Sequence, residues 1–225
     1  MSRNIIVTGA AGALGSAVVE KFKREGYYVI ALLRPDAEEV AEEADDSYEV
    51  DVTDSAAVAD FVKECQIQYG EIDAIAMLVG GFAMGTIEDT HPDQMNHMFQ
   101  LNFFSAFNLV NGFLPFFKKQ NRGTFLFVGA RPAVQLADAT STVAYALSKK
   151  MVISLSDILA EEVKGTNIRT HVFVPSIIDT PANRESMPDS DFTKWVNPAD
   201  IAEAMHYAVN TPALRNMTFK LYGEV

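Results

Sequence analysis

Asn4-Ile5-Ile6-Val7-Thr8-Gly9-Ala10-Ala11-Gly12-Ala13-Leu14-Gly15 is the stretch that sets the fold of this chain. A short run rich in β-branched residues stops at Gly9. Glycines recur at Gly12 and Gly15, and an apolar-periodic segment follows. The pattern reads as strand, tight turn, helix. Such a turn, with Ala11, Ala13 and Leu14 between its glycines, can present backbone N–H groups to a pyrophosphate at a helix N-terminus. One glycine serves the turn, one the close approach of phosphate, and one the packing of helix on strand. The spacing is not G-x-G-x-x-G; it fits T-G-x-x-x-G-x-G only with Ala13 standing at an internal position. The plainer reading is a glycine-rich turn that merely opens an α/β domain.

Outward from this stretch, strand and helix patterns alternate. The expected strands are residues 4–8, 28–33, 48–50, 74–79, 124–128, 168–174 and 217–221. The helices between them run over 13–25, 54–69, a long segment after Thr90, and 143–164, with a last one opened by Pro198 and Asp200. Asp54 is the cap of its helix. Pro115 is expected to kink or end the long helix. Residues 36–46 hold seven carboxylates, which read as a solvated helix face. This alternation predicts a single doubly wound α/β domain over residues 1–225, with a seven-stranded parallel sheet and its ligand crevice at the carboxyl ends of the strands.

Composition narrows the partners. The chain has 225 residues, 48% of them apolar, and a formal charge of -12. That charge argues against nucleic acid and anionic membrane as partners. The single cysteine, Cys65, excludes an intrachain disulfide and is expected to be buried and inert. No run is apolar enough to span a bilayer and none reads as a signal peptide, so a cytoplasmic location is expected. The four histidines, His91, His97, His171 and His206, form no metal-ligand spacing, and no metal is expected.

Tyr145-Ala146-Leu147-Ser148-Lys149 carries the chemistry. Tyrosine and lysine four apart share a helix face. A nearby ammonium favours the ionised phenol, so the tyrosine pKa is expected to fall. Such a tyrosine can pass a proton to a substrate while a hydride arrives.

With these residues in view, the chain resembles the short-chain dehydrogenase/reductase family over essentially its whole length. The resemblance rests on Thr8 to Gly15, Asp51-Val52, Leu101-Asn102-Phe103, Tyr145 with Lys149, and Pro175-Ser176-Ile177-Ile178-Asp179-Thr180, all in the family's order. It implies that the Gly9–Gly15 turn holds a dinucleotide, that Asp51 and Val52 flank its adenine, and that Pro175, Ile178 and Thr180 lie by the nicotinamide. Lys149 would also bind the ribose, and Asn102 would hold a water linking Lys149 to solvent. By the same resemblance, the phenylalanine-rich helix 99–117 and the helix after Tyr145 would pack against a twofold mate, making a homodimer or homotetramer.

Two departures from the family pattern stand out. The family's serine after the fifth strand falls, by place, on Ala130, and the family's N-A-G after the fourth strand is replaced by Leu78-Val79-Gly80-Gly81. Gly80 and Gly81 remain candidates to line the cofactor. Either Thr140, Ser141 or Thr142 replaces the lost donor, or the substrate needs none. Both departures are similar to dihydropteridine reductase-like members, as is the segment from Asp179 to Trp195. At the end of the second strand, Leu33 occupies the expected acidic position and Arg34 follows. No carboxylate excludes a 2′-phosphate, so NADP is favoured over NAD. The expected activity is hydride transfer between NAD(P) and a small molecule, a dihydropterin or quinone-like compound. The alternatives are a carbonyl/alcohol oxidoreductase and a non-catalytic NADP-binding sensor.

Overall fold

In the computed structural model, which describes residues 3–35 and 40–224, β1 (Asn4–Thr8) is an interior strand of a seven-stranded, all-parallel sheet. The other strands are β2 (Tyr28–Leu33), β3 (Asp46–Glu49), β4 (Ala74–Met77), β5 (Gly123–Val128), β6 (Ile168–Pro175) and β7 (Asn216–Leu221), in the order β3-β2-β1-β4-β5-β6-β7. The chain winds outward from β1 to β3, then crosses back over β1 to begin β4. The strand order therefore reverses between β1 and β4. A crevice opens at the carboxyl ends of the strands at such a switch point.

Alternate side chains of each strand feed two cores, one on each sheet face. Ile6, Ile75, Phe125 and Phe127 pack under α2 (Ser55–Gln68), α4 (Ser105–Gln120) and α5 (Val143–Glu162), together with Phe61, Phe113 and Phe117. Ile5, Val7, Leu126 and Phe173 pack under α1 (Ala13–Arg24) and α7 (Pro198–Asn210), together with Phe22, Ile201 and Met205. Burial on both faces explains why these strands read as continuous apolar runs. As expected, Asp54 caps α2, accepting the Ala56 N–H at 2.8 Å. Cys65 is buried in the first core, and that burial pushes its thiol up to about 12.

Three expectations are corrected. The long helix after Thr90 is α3 (Pro92–Met98), a π-helical segment (Phe99–Phe104) and α4 in continuous succession. Pro115 does not end it: α4 runs on to Gln120. Pro115 and Asn111 both face solvent, so water can satisfy the Asn111 carbonyl that loses its helical donor. The acidic stretch forms no helix face where it is described. Residues 40–45 are turn and irregular chain, and Asp46 is already in β3, where its carboxylate accepts from the Tyr28 and Tyr69 hydroxyls at 2.9 and 2.6 Å. Its residues 36–39 lie outside the described residues.

Candidate functional site

The glycine turn is shaped by contact with its own backbone. Gly9 has φ +61, a left-handed conformation that side chains rarely adopt. Its N–H donates to the Leu32 carbonyl at 3.1 Å, and its own carbonyl accepts from the Gly12 N–H at 3.1 Å. A Cβ on Gly15 would stand 2.0 Å from the Gly9 oxygen and 2.8 Å from Ala10, so only glycine lets α1 approach the end of β1. Gly12 precedes α1 as its cap and supplies no side-chain acceptor. The first N–H groups of α1 therefore point outward beside the exposed Gly12 and Ala13, with Ala11 and Leu14 half-buried around them. This cradle fits a dinucleotide phosphate. Thr8 fixes it to the neighbouring strand, its hydroxyl oxygen accepting the Leu78 and Val79 N–H groups at 3.0 and 3.3 Å.

On the other side of the switch point, Gly80 and Gly81 meet Asn102. The Asn102 side-chain oxygen accepts the Gly81 N–H at 2.9 Å, and its amide nitrogen donates to the Gly81 carbonyl at 3.1 Å and to Ser148 Oγ at 3.0 Å. Ser148 Oγ in turn donates to the Tyr145 carbonyl at 2.8 Å. A Cβ on Gly80 would lie 2.6 Å from Asn102 Oδ1 and 3.1 Å from Lys149 Nζ. Asn102, Lys149 and the chain after β4 thus converge at one point. The π-helical segment carries Asn102, and its wider turn breaks the α ladder where that side chain is needed. Lys149 is buried and donates to the Val128 carbonyl at 3.0 Å.

The expected fall in the tyrosine pKa is not what this arrangement produces. Burial pushes the Tyr145 phenol up to about 12 and pulls the Lys149 ammonium down to about 8. The spacing of four does place both on α5, but the ammonium is engaged by the Val128 carbonyl, and loss of water dominates both groups. The Tyr145 ring meets the Phe82 ring at 5.0 Å between centroids and 70° between planes.

Ala130 follows β5 as expected and is buried. Of the three hydroxyls that could stand in for a serine, Thr140 donates to Ala137 O and Thr142 to Asp138 O, both at 3.2 Å, while Ser141 lends its carbonyl to the Gly85 N–H at 2.8 Å. Arg131 pairs with Asp138 at 2.7 Å.

Arg34 is exposed at the end of β2 and lines a cleft with Asp51, Thr53, His97 and Gln100. One Asp51 oxygen accepts from the Thr53 N–H and hydroxyl at 2.9 and 2.7 Å. Val52 is buried, and Asn108 holds this corner by donating to the Val52 and Thr53 carbonyls at 3.1 and 3.0 Å. Beyond β6 and Pro175, Ile178 bridges to Val196, and Thr180 caps α6 (Pro181–Ser186) by accepting the Asn183 N–H at 3.2 Å.

The contacts made by Thr8, Ser148 and Asn108, and the place of Phe82, were not anticipated from sequence. Among the described residues no group of three His, Cys, Asp or Glu side chains could hold a metal ion, and no helix is long and apolar enough to cross a membrane.

Comparisons with known proteins agree with this architecture. Residues 3–191 match the family model described as short chain dehydrogenase. The uncharacterized oxidoreductase YxjF of Bacillus subtilis is 31% identical over 199 residues, covering 85% of this chain and 77% of its own. The 3-oxoacyl-[acyl-carrier-protein] reductase FabG of Thermotoga maritima is 27% identical over 192 residues, covering 82% and 77%. The structure of ElxO with NADP bound superposes with a TM-score of 0.90 at 18% identity, covering 99% of this chain and 98% of that one. The chain belongs to the short chain dehydrogenase family. It is an NAD(P)-dependent oxidoreductase of that class.

Proposed function

We propose that this chain is a reductase that binds NADP in preference to NAD along the crevice from Arg34 to Thr180, with Tyr145 as proton donor. The observation that carries this reading is the convergence of Asn102 and Lys149 on Gly80, with Ser148 tying Asn102 to the Tyr145 backbone carbonyl. The residues fit the coenzyme: Gly15 lets α1 close on the end of β1, and the first turn of α1, with no side-chain cap at Gly12, is open to a phosphate. The bound nicotinamide supplies the hydride. At neutral pH the Tyr145 phenol carries its proton, as an ordinary phenol does and as burial reinforces, so it is present in the form that can donate to a substrate. Lys149 is held by the Val128 carbonyl within reach of the ribose side of the crevice, and Asn102 fixes the chain after β4. Asp51 and Val52 flank the adenine, and Pro175, Ile178 and Thr180 border the nicotinamide.

Arg34 supports the preference for NADP, since a guanidinium can pair bidentately with a 2′-phosphate and Leu33 offers no opposing carboxylate. The ElxO structure, whose fold this chain shares, holds NADP. The substrate is a small conjugated molecule, a dihydropterin or quinone-like compound. A quinonoid dihydropterin accepts hydride on a conjugated imine system and develops little oxyanion, so for that substrate Ala130 in place of a hydroxyl is tolerable. The FabG relative, named for reduction of a 3-oxoacyl group, favours a second reading in which the substrate is a simple carbonyl compound.

The exposed apolar side chains Phe104 and Phe107 on the long helix and Leu147, Met151 and Ile158 on α5 support pairing of two copies through these helices. Turnover of NADPH and NADH with quinonoid dihydropterin, and then with a panel of quinones and ketones, tests the activity. Tyr145→Phe is expected to abolish turnover while coenzyme binding persists. Unchanged turnover in that variant would sink the mechanism.

A further inference from the structure

Phe82 is a large aromatic side chain that the fold holds in the open. It is 61% exposed, yet its surroundings are fixed at both ends of a short segment. On one side, Gly81 is held by Asn102 through its N–H and its carbonyl. On the other, the Gly85 N–H donates to the Ser141 carbonyl at 2.8 Å, and the Gly85 carbonyl accepts the Val143 N–H at 3.0 Å. Between them, Gln94 Nε2 donates to the Met84 carbonyl at 2.8 Å. The ring cannot sink into either core without breaking these bonds. Its one ring partner among the described residues is Tyr145, met at 70°, so the pair leaves aromatic surface uncovered beside the phenol. The same clamp ties the Phe82 segment to the chain that leads into α5, so ring and phenol keep their relative placement.

A second aromatic ring brought to Tyr145 would gain an offset or edge contact with Phe82 that a saturated ring cannot make. We propose that Phe82 is a specificity-determining residue that forms a wall of the substrate subsite and selects planar, conjugated ring compounds over saturated ones. This rests on Tyr145 being the proton donor, because the selection works by presenting the ring to that phenol.

Binding and turnover are measured separately, with NADP present in the binding arm. The probes are 1,4-naphthoquinone as the planar ring and cyclohexanone as the saturated one. Wild type should bind the quinone about tenfold more tightly, the upper end of what one aromatic contact supplies. In Phe82→Leu that ratio should collapse below about threefold, and Phe82→Tyr should restore it. Ile67→Ser, at an exposed apolar position on α2, should leave the ratio as in wild type. A ratio near one in wild type, or an unchanged ratio in Phe82→Leu, overturns the subsite. Turnover without any dependence on Phe82 refutes the subsite and leaves the reductase reading standing. Discrimination through Phe82 together with unchanged turnover in Tyr145→Phe leaves a ring-binding wall but overturns its tie to a proton donor, and with it the reductase reading of Tyr145.

Discussion

Replacing His171 with leucine should remove much of the acid sensitivity of this fold. His171 lies in β6, fully buried, opposite Leu126 of β5 and Met217 of β7. Among the described residues neither ring nitrogen has a hydrogen-bond partner, and the ring meets Phe219 at 6.1 Å. Burial, reinforced by the charges of Arg169 and Arg215, pulls its pKa from the ordinary 6.5 down to about 4. The native state thus holds the neutral ring while the unfolded chain takes up a proton. Above pH 6.5 both states are neutral and the residue contributes no pH dependence. As pH falls below that value, only the unfolded state gains a proton, so stability drops; below about 4 both are protonated and the loss levels off. At about 1.4 kcal/mol per pH unit, the interval from 6.5 to about 4 amounts to about 3 kcal/mol. Urea unfolding of wild type and His171→Leu at several pH values between 7.5 and 4 measures the difference, with all other titrating groups common to both proteins. Wild type should lose about 3 kcal/mol more than the variant across the window. Parallel pH profiles would refute the assignment of a neutral, unsolvated imidazole.

Three further outcomes follow from the site. Gly15→Ala should destabilise the fold by about 1–3 kcal/mol and weaken NADPH binding, because the new methyl meets the Gly9 and Ala10 backbone; a melting temperature and Kd equal to wild type would contradict it. Arg34→Ala should weaken NADPH binding about tenfold or more while sparing NADH, and equal losses in a paired titration would remove the basis for coenzyme choice. Phe107→Glu combined with Leu147→Glu should shift the protein to monomers in sedimentation, since both side chains lie in the exposed apolar surface; an unchanged mass would place the interface elsewhere.

Much of the fold was legible because its signals are local. β1 and β2 match the expected bounds, since each β-branched run is stopped by Gly9 or by Arg34-Pro35. Asp54 announced α2 by the same chemistry that the structure shows. The π-helical segment was not legible: apolar positions at intervals of three and four are too coarse to register a single widened turn. Pro115 misled because its effect depends on whether solvent can reach Asn111, which is a property of the folded surface. The helix α6 had Thr180 and Pro181 as its start signals, but six residues carry no apolar period to confirm it. In the site, the meeting of Asn102 with Gly80 and Gly81 brings together segments about twenty residues apart, and the pull of Val128 on Lys149 comes from another strand. Spacing along one helix cannot reveal how deeply its side chains are desolvated, which is why the direction of the Tyr145 shift was missed.

The widened turn at Phe99–Phe104 also makes the long helix intolerant of length changes. Each α-helical residue advances the chain by about 100°, so a π segment leaves α3 and α4 out of phase with a continuous α-helix. Deleting one residue there would let ordinary helix form without a break, a locally favourable result. It would also rotate α3 against α4 by about that angle, carrying Met98 away from Asn102, which it now meets at 3.8 Å, and Gln94 away from Met84. A shorter helix of better backbone regularity would therefore misalign both ends of the loop that shapes the site.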